Sequence, residues 1–308
     1  MKNKINRRKF MTTGMAAVAL PSLLNIQSVA MNKTLSDNKT SMRIGIITGL
    51  DSPRESIKRV RDFGFDACQV SAGEFTPGIA AKLKAALQEN DVIPVTMICH
   101  GPGPYVWDFK QGPVTIGLVP REYRVQRVER LKQGVDICAE AGVPAIHAHF
   151  GFIPEFPGDE LYIEFVEVMK DLGAYAKNAG IDIYFETGQE TPVTLFRAIQ
   201  DIGTGNLFVN YDTANLILYG KANPLDGLII LGKLIKSFHI KDGFYPTDPY
   251  RLGKEAPIPE GLVDFPKIIA YMKNLNFEGS LVIENEMSSN TRDYLIKTKK
   301  YLEGLIGS

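Results

Sequence analysis

Eight side chains able to bind a metal ion or carry a proton stand at the ends of apolar, β-rich runs: His100, His147, His149, Glu186, Asp212, His239, Glu284 and Glu286. All four histidines of the chain belong to this set. Taken singly, each residue has an ordinary reading. Glu186 can be a solvated turn carboxylate, Asp212 a helix cap, and His239 a satisfied core histidine. Glu284, by contrast, follows three apolar residues, where a buried carboxylate without a partner is costly. A divalent cation offsets that cost. Two glutamates, one aspartate and one histidine make an oxygen-rich mixed shell that suits Mn²⁺, Co²⁺, Mg²⁺ or Zn²⁺ without selecting among them. Lys241, two residues beyond His239, shares its strand face and can stabilise an enolate oxygen or give a proton. Tyr105 and Trp107, the only tryptophan, lie in a Gly/Pro-rich segment. Their rings suit either the C–H face of a sugar or the stapling of a loop.

From Arg43 onward, short β-rich runs alternate with segments of helical period, the pattern of βα units on a parallel sheet. Strands are expected at Arg43 to Thr48, Ala67 to Ser71, Ile93 to His100, Ala145 to Phe150, Asp182 to Glu186, Leu207 to Tyr211, Ile235 to Ile240 and Ser280 to Glu286. Helices are expected at Pro53 to Phe63, Pro77 to Glu89, Arg121 to Ala141, Leu161 to Ala179, Pro192 to Ile202, Phe265 to Leu275 and Asn290 to Leu305. Eight such repeats match a single (β/α)8 TIM barrel over residues 42–308, whose chemistry sits at the C-terminal ends of the strands. Those ends are where the eight candidates lie. Two connections are long, His100 to Val119 and Lys241 to Asp264, and both wall the same face.

Three motifs in the C-terminal half carry a family resemblance: Phe238-His239-Ile240-Lys241-Asp242, Gly261-Leu262-Val263-Asp264-Phe265-Pro266 and Phe277-Glu278-Gly279-Ser280-Leu281-Val282-Ile283-Glu284. In order and spacing the chain resembles the xylose-isomerase-like sugar isomerase/epimerase barrels. The resemblance implies one divalent cation held by Glu186, Asp212, His239 and Glu284. It also implies that the two glutamates act as base and acid on opposite faces of one carbon, with His149 in the sugar pocket. His147, on the same strand face, and His100, Tyr105 and Trp107 join it as expected substrate-binding residues. One departure stands out. The family often carries Asn-His after the fifth-strand glutamate, whereas here Glu186 is followed by Thr187-Gly188-Gln189.

The N-terminus has a separate logic. Asn6-Arg7-Arg8-Lys9-Phe10-Met11 resembles a twin-arginine signal, an apolar stretch runs from Met11 to Leu20, and Ser28-Val29-Ala30 offers a cleavage site. Residues 1–30 are therefore expected to be an export signal read by the twin-arginine machinery, residues 31–41 a flexible linker, and the folded part periplasmic. The apolar stretch is too short and too rich in Gly, Ala and Thr for a lasting membrane span. Residues 1–30 hold five basic groups and no acid, so the remainder carries thirty basic against thirty-five acidic groups, a net charge of −5. That body is a poor nucleic-acid binder. Three cysteines are too few and odd in number for a disulfide framework, and the oligomeric state, including a homo-oligomer, stays open.

An exported enzyme meets unphosphorylated sugars, and no Gly-rich phosphate cradle is present. The leading expectation is a metal-dependent sugar isomerase or epimerase. A 3-keto-glycoside lyase, using the same enolisation followed by β-elimination, and a non-catalytic sugar-binding protein are the alternatives.

Overall fold

The computed structural model describes residues 42–287 and 292–307. The expected export signal and linker lie outside the described residues. Eight parallel strands close into a barrel: β1 (Arg43–Gly49), β2 (Ala67–Ala72), β3 (Ile93–Cys99), β4 (Ala145–Ala148), β5 (Asp182–Glu186), β6 (Leu207–Asp212), β7 (Ile235–Ile240) and, last in the chain, β10 (Ser280–Ile283). β1 pairs with both β2 and β10, which closes the cylinder. The (β/α)8 architecture expected from the sequence is the one observed.

Helices α1 (Pro53–Asp62), α2 (Ile79–Asn90), α4 (Arg121–Ala141), α5 (Glu160–Asn178), α6 (Pro192–Ile202), α8 (Pro224–Leu231), α9 (Phe265–Asn274) and α10 (Arg292–Gly307) follow the barrel strands. Two short helices, α3 (Gly112–Thr115) and α7 (Asn215–Leu218), lie in connections. Among the described residues no helix is long and apolar enough to cross a membrane.

Alternation along β7 shows how the sequence sorts itself. Phe238 and Ile240 point outward into the large apolar cluster beneath the helices, while Ser237, His239 and Lys241 point inward. The barrel interior keeps a small apolar cluster of Ala67, Val95 and Val282. Toward the C-terminal end it turns polar, with Gln69, His147, Asn210 and Ser237 all buried. A mostly apolar filling is the usual arrangement, so this buried polar layer departs from it at the end of the barrel where the candidate residues gather.

Most strand ends differ from expectation by a residue or more, and four of them bear on candidate residues. β3 stops at Cys99, just before His100. β10 stops at Ile283, so Glu284 and Glu286 follow the strand and are not part of it, and β4 stops at Ala148, just before His149. β6 runs one residue further, through Asp212. In each case ladder pairing ends where side chains converge at the mouth. The connection after β7 contains its own antiparallel pair, β8 (Asp242–Phe244) with β9 (Lys254–Ala256), which periodicity did not show.

Both long connections are tied down. Arg127 of α4, 1% exposed, donates to the carbonyl oxygens of Pro102 (3.0 Å), Pro104 (2.9 Å) and Gly117 (2.8 Å). Gly117 has φ +73°, and a Cβ there would lie 2.0 Å from the carbonyl carbon of Phe150, so no other residue fits this crossing. Asp242 holds the second connection, accepting from the amides of Gly243 (2.8 Å), Gly261 (2.8 Å) and Val263 (3.0 Å). Two of the sequence motifs thus meet in one carboxylate.

Candidate metal centre and active site

Glu186 at the end of β5, Asp212 at the end of β6, His239 on β7 and Glu284 just after β10 converge at the barrel mouth. Each offers a ligand atom, and these atoms all lie within 4.8 Å of one another. His239 Nδ1 is central, at 2.9 Å from Glu186 Oε1, 2.9 Å from Glu284 Oε2 and 3.9 Å from Asp212 Oδ2. Lys241 Nζ stands beside them, 3.4 Å from Glu284 Oε2, 3.3 Å from Glu286 Oε2 and 3.9 Å from Asp212 Oδ2.

Asp212 joins both of its sequence readings in one side chain. Its Oδ1 accepts from the amides of Ala214 (2.8 Å) and Asn215 (2.7 Å), capping the turn into α7. Its Oδ2, fully buried, has no hydrogen-bond partner. Glu284 Oε2 is likewise without an aligned hydrogen bond, although His239 and Lys241 stand close. Glu186 is held on both oxygens: by Asn210 Nδ2 (2.8 Å), by Asn215 Nδ2 (3.4 Å), by His239 and by a very short contact to His147 Nε2.

The electrostatics follow from this crowding. Burial pushes the Asp212 carboxyl well above the usual range, Lys241 opposes the shift, and Glu284 and Glu186 add to it. Burial alone would raise Glu186, but His239 and His147 hold it well below. Glu284 is also held low, burial being outweighed by His239 and Lys241. His239 and Lys241 are both raised well above their ordinary values, because neighbouring carboxylates outweigh the effect of burial. Three carboxylates with two orphaned oxygens around one imidazole nitrogen form a donor set that could hold a divalent cation.

The second ring of expected residues divides. His149 lies at the mouth, its Nδ1 beside the Gln189 amide at 3.0 and 3.2 Å, and stacks on His100 with ring centroids 6.0 Å apart. Trp107 meets His149 edge-on at 4.8 Å and is 43% exposed. These three side chains form one wall. Tyr105 is 5.1 Å from His100, but its hydroxyl accepts from the Gly101 amide and its ring lies under Arg127, so it also staples the loop. His147 lies deeper than the sequence placed it, 2% exposed and packed on Glu186 and His239 beneath the mouth. Burial pushes His100 down to about 3 and His149 down to about 4, so both imidazoles stay neutral near pH 7. Gln189, in the position where the motif departs from the family, is the partner of His149.

Sequence reasoning missed Gln69, Asn210, Ser237 and Arg127. The available signal was a polar residue at an inward position of an apolar strand, as in Ala67-Cys68-Gln69-Val70 and Phe208-Val209-Asn210-Tyr211.

A barrel with an oxygen-rich ligand set at its strand ends defines a class, and comparison with known proteins agrees. Residues 57–305 match the sequence profile of the xylose isomerase-like TIM barrel family, and the chain belongs to that family. The crystal structure of a xylose isomerase domain protein from Planctomyces limnophilus is 29% identical and superposes with a TM-score of 0.81, covering 86% of this chain and 97% of that one. Inosose dehydratase from Clostridium beijerinckii is 22% identical over 197 residues, 57% of this chain and 63% of the dehydratase. The fold alone is similar to that of 3-keto-D-glucoside 4-epimerase from E. coli, with a TM-score of 0.63 and 16% identity across 85% of this chain and 99% of the epimerase.

Proposed function

We propose that this protein is a divalent-metal-dependent isomerase or epimerase that removes a proton beside the carbonyl of an unphosphorylated sugar or keto-sugar. The observation that carries the reading is the approach of Glu186 and Glu284 to one point, each 2.9 Å from His239 Nδ1, from strands separated by β6 and β7. Two carboxylates that reach one position from two directions can serve one carbon from both faces.

Glu186, Asp212, His239 and Glu284 would hold the ion, which when bound supplies a Lewis acid that polarises the sugar carbonyl. Glu284, the less constrained carboxylate, takes the α-proton, and the C–H electron pair moves into the carbon–carbon bond as the carbonyl oxygen gains charge. Lys241 sits where its ammonium can hydrogen-bond that oxygen. Return of that proton to the former carbonyl carbon, while the hydroxyl proton of the first carbon passes to the former carbonyl oxygen, gives the isomer. A second proton, carried by Glu186 and delivered to the opposite face of the first carbon, gives the epimer, with the proton on Glu284 released to solvent. Trp107, His100 and His149 form a wall suited to the C–H face of a ring, and neutral imidazoles hydrogen-bond hydroxyls without adding charge.

A second reading is favoured by the sequence similarity to a dehydratase. The same proton removal from a 3-keto-glycoside, followed by loss of the C1 substituent, makes the protein a carbon–oxygen lyase. Incubating the metal-loaded protein with a 3-keto-glucoside in D₂O decides between them. Deuterium at the α-carbon with an isomeric product supports the first reading, and aglycone release supports the second. Sugar binding with neither exchange nor metal dependence would contradict both.

A further inference from the structure

Beneath the ligand set a run of hydrogen bonds among buried side chains leads from Glu186 through Asn210 and Gln69 to His239. Its direction can be read from chemistry, because a carboxylate only accepts. Glu186 Oε2 takes a hydrogen from Asn210 Nδ2 at 2.8 Å, which turns Asn210 Oδ1 away from Glu186. That oxygen accepts from Gln69 Nε2 at 2.9 Å and from the Ser237 hydroxyl. With its amide nitrogen committed, Gln69 presents Oε1 to His239 Nε2 at 2.5 Å. An amide oxygen cannot donate, so the hydrogen sits on Nε2. The opposite ring nitrogen, Nδ1, faces Glu186, Asp212 and Glu284; without an ion it too donates, at 2.9 Å from two carboxylates, and a bound cation would take the place of that hydrogen. Gln69, Asn210 and Ser237 are each 0% exposed, so no water competes for these bonds.

We infer that Gln69 is a positioning residue: through the run Glu186–Asn210–Gln69 it keeps the hydrogen of His239 on Nε2, so that in the metal-bound protein the Nδ1 lone pair is aimed at the cation. The inference rests on the proposed metal centre. Gln69 crosses the barrel from β2, which supplies none of the four ligands, so the ligand geometry depends on a strand on the other side of the mouth. Leucine of similar size at this position would leave Nε2–H unpartnered, Asn210 Oδ1 held by Ser237 alone, and the imidazole free to turn. Loss of such an outer partner typically weakens metal binding by ~10–100-fold.

The test uses the purified protein and Zn²⁺, a diamagnetic probe. Long-range ¹H–¹⁵N spectra of the imidazoles report which nitrogen of His239 carries hydrogen, and four histidines in all keep the spectrum assignable. Calorimetric titration gives Zn²⁺ affinity for wild type and Gln69→Leu. The expected result is hydrogen on Nε2 of zinc-loaded wild-type protein, with affinity lowered roughly 10–100-fold in Gln69→Leu. Hydrogen on Nδ1 in the zinc-loaded wild type overturns the inference even if the variant does not fold. Zinc affinity unchanged in a folded Gln69→Leu overturns it alone, whereas a wild-type protein that takes up no Zn²⁺ overturns both the inference and the metal centre beneath it.

Discussion

Glu186 and Glu284 stand equally close to His239 Nδ1, at 2.9 Å, yet only Glu186 is fixed by hydrogen bonds on both of its oxygens. The two carboxylates thus occupy unequal roles. Glu186 is braced by His147, Asn210 and Asn215, whereas Glu284 is partly exposed and stands against the cationic side chains of His239 and Lys241. An amide at position 186 would direct hydrogens at neighbours that are themselves donors.

Glu186→Gln is therefore expected to lower metal content after dialysis more than Glu284→Gln does, by roughly tenfold in affinity. Elemental analysis of both variants at equal protein concentration checks this. Equal retention in the two would remove the distinction between braced and free carboxylate.

Asp242 and Gly261 set the second long connection. A Cβ on Gly261 would fall 2.2 Å from Asp242 Oδ1 and 2.6 Å from the Gly243 amide nitrogen, so Gly261→Ala must push the segment off its carboxylate anchor. Asp242→Ala removes the acceptor of three amides, two of them across the connection. Each change is expected to cost roughly 2–4 kcal/mol. Urea unfolding midpoints measure the loss, and a shift under ~0.5 kcal/mol in both variants would contradict this anchoring.

Acid should weaken the fold partly through His149. Its folded pKa is depressed from 6.5 to about 4 by burial, so below pH 6.5 the unfolded chain binds a proton that the folded chain does not, and stability falls as pH falls. His239 works in the opposite sense, its raised value adding stability in acid, but it is present in both proteins of a comparison. In metal-free protein, the stability lost between pH 7 and pH 5 should be smaller in His149→Gln than in wild type by roughly 1–2 kcal/mol. Identical losses would mean that His149 titrates normally.

We propose that the protein is exported folded to the periplasm, on the strength of Arg7-Arg8 and the Ser28-Val29-Ala30 site. Replacing both arginines by lysine should leave precursor in the cytoplasm, seen by fractionation and by the N-terminus of the recovered protein. Mature protein beginning near Met31 in normal amounts would dispose of the twin-arginine reading.

The barrel was legible because alternation between β-rich and helical segments survives in nearly every unit, and parallel strands announce themselves by outward apolar residues such as Phe238 and Ile240. The convergence of Glu186, Asp212, His239 and Glu284 was legible because all four stand at strand ends and match the family's motif positions, although the first three each have an ordinary structural reading when taken alone. The inner polar layer was not. Gln69 and Asn210 lie on strands 2 and 6, 141 positions apart, and their pairing depends on barrel closure, which carries no local signal. The depth of His147 was equally hidden, since period-two alternation assigns a face but not a layer. Asp242 and Gly261 were seen as parts of two motifs, but a shared carboxylate is a property of the folded connection.

In the proposed reaction Glu284 takes a proton from carbon beside a carbonyl. The direct measurement is the rate of α-proton exchange of a keto-sugar in D₂O, followed by ¹H NMR, for wild type and Glu284→Gln, each with its metal content determined. Glutamine keeps the size and one oxygen ligand but not the basicity. Metal-bound Glu284→Gln is expected to lose exchange by roughly 10²-fold or more. Exchange at the wild-type rate in that metal-bound variant would contradict that role and leave Glu284 as a ligand alone.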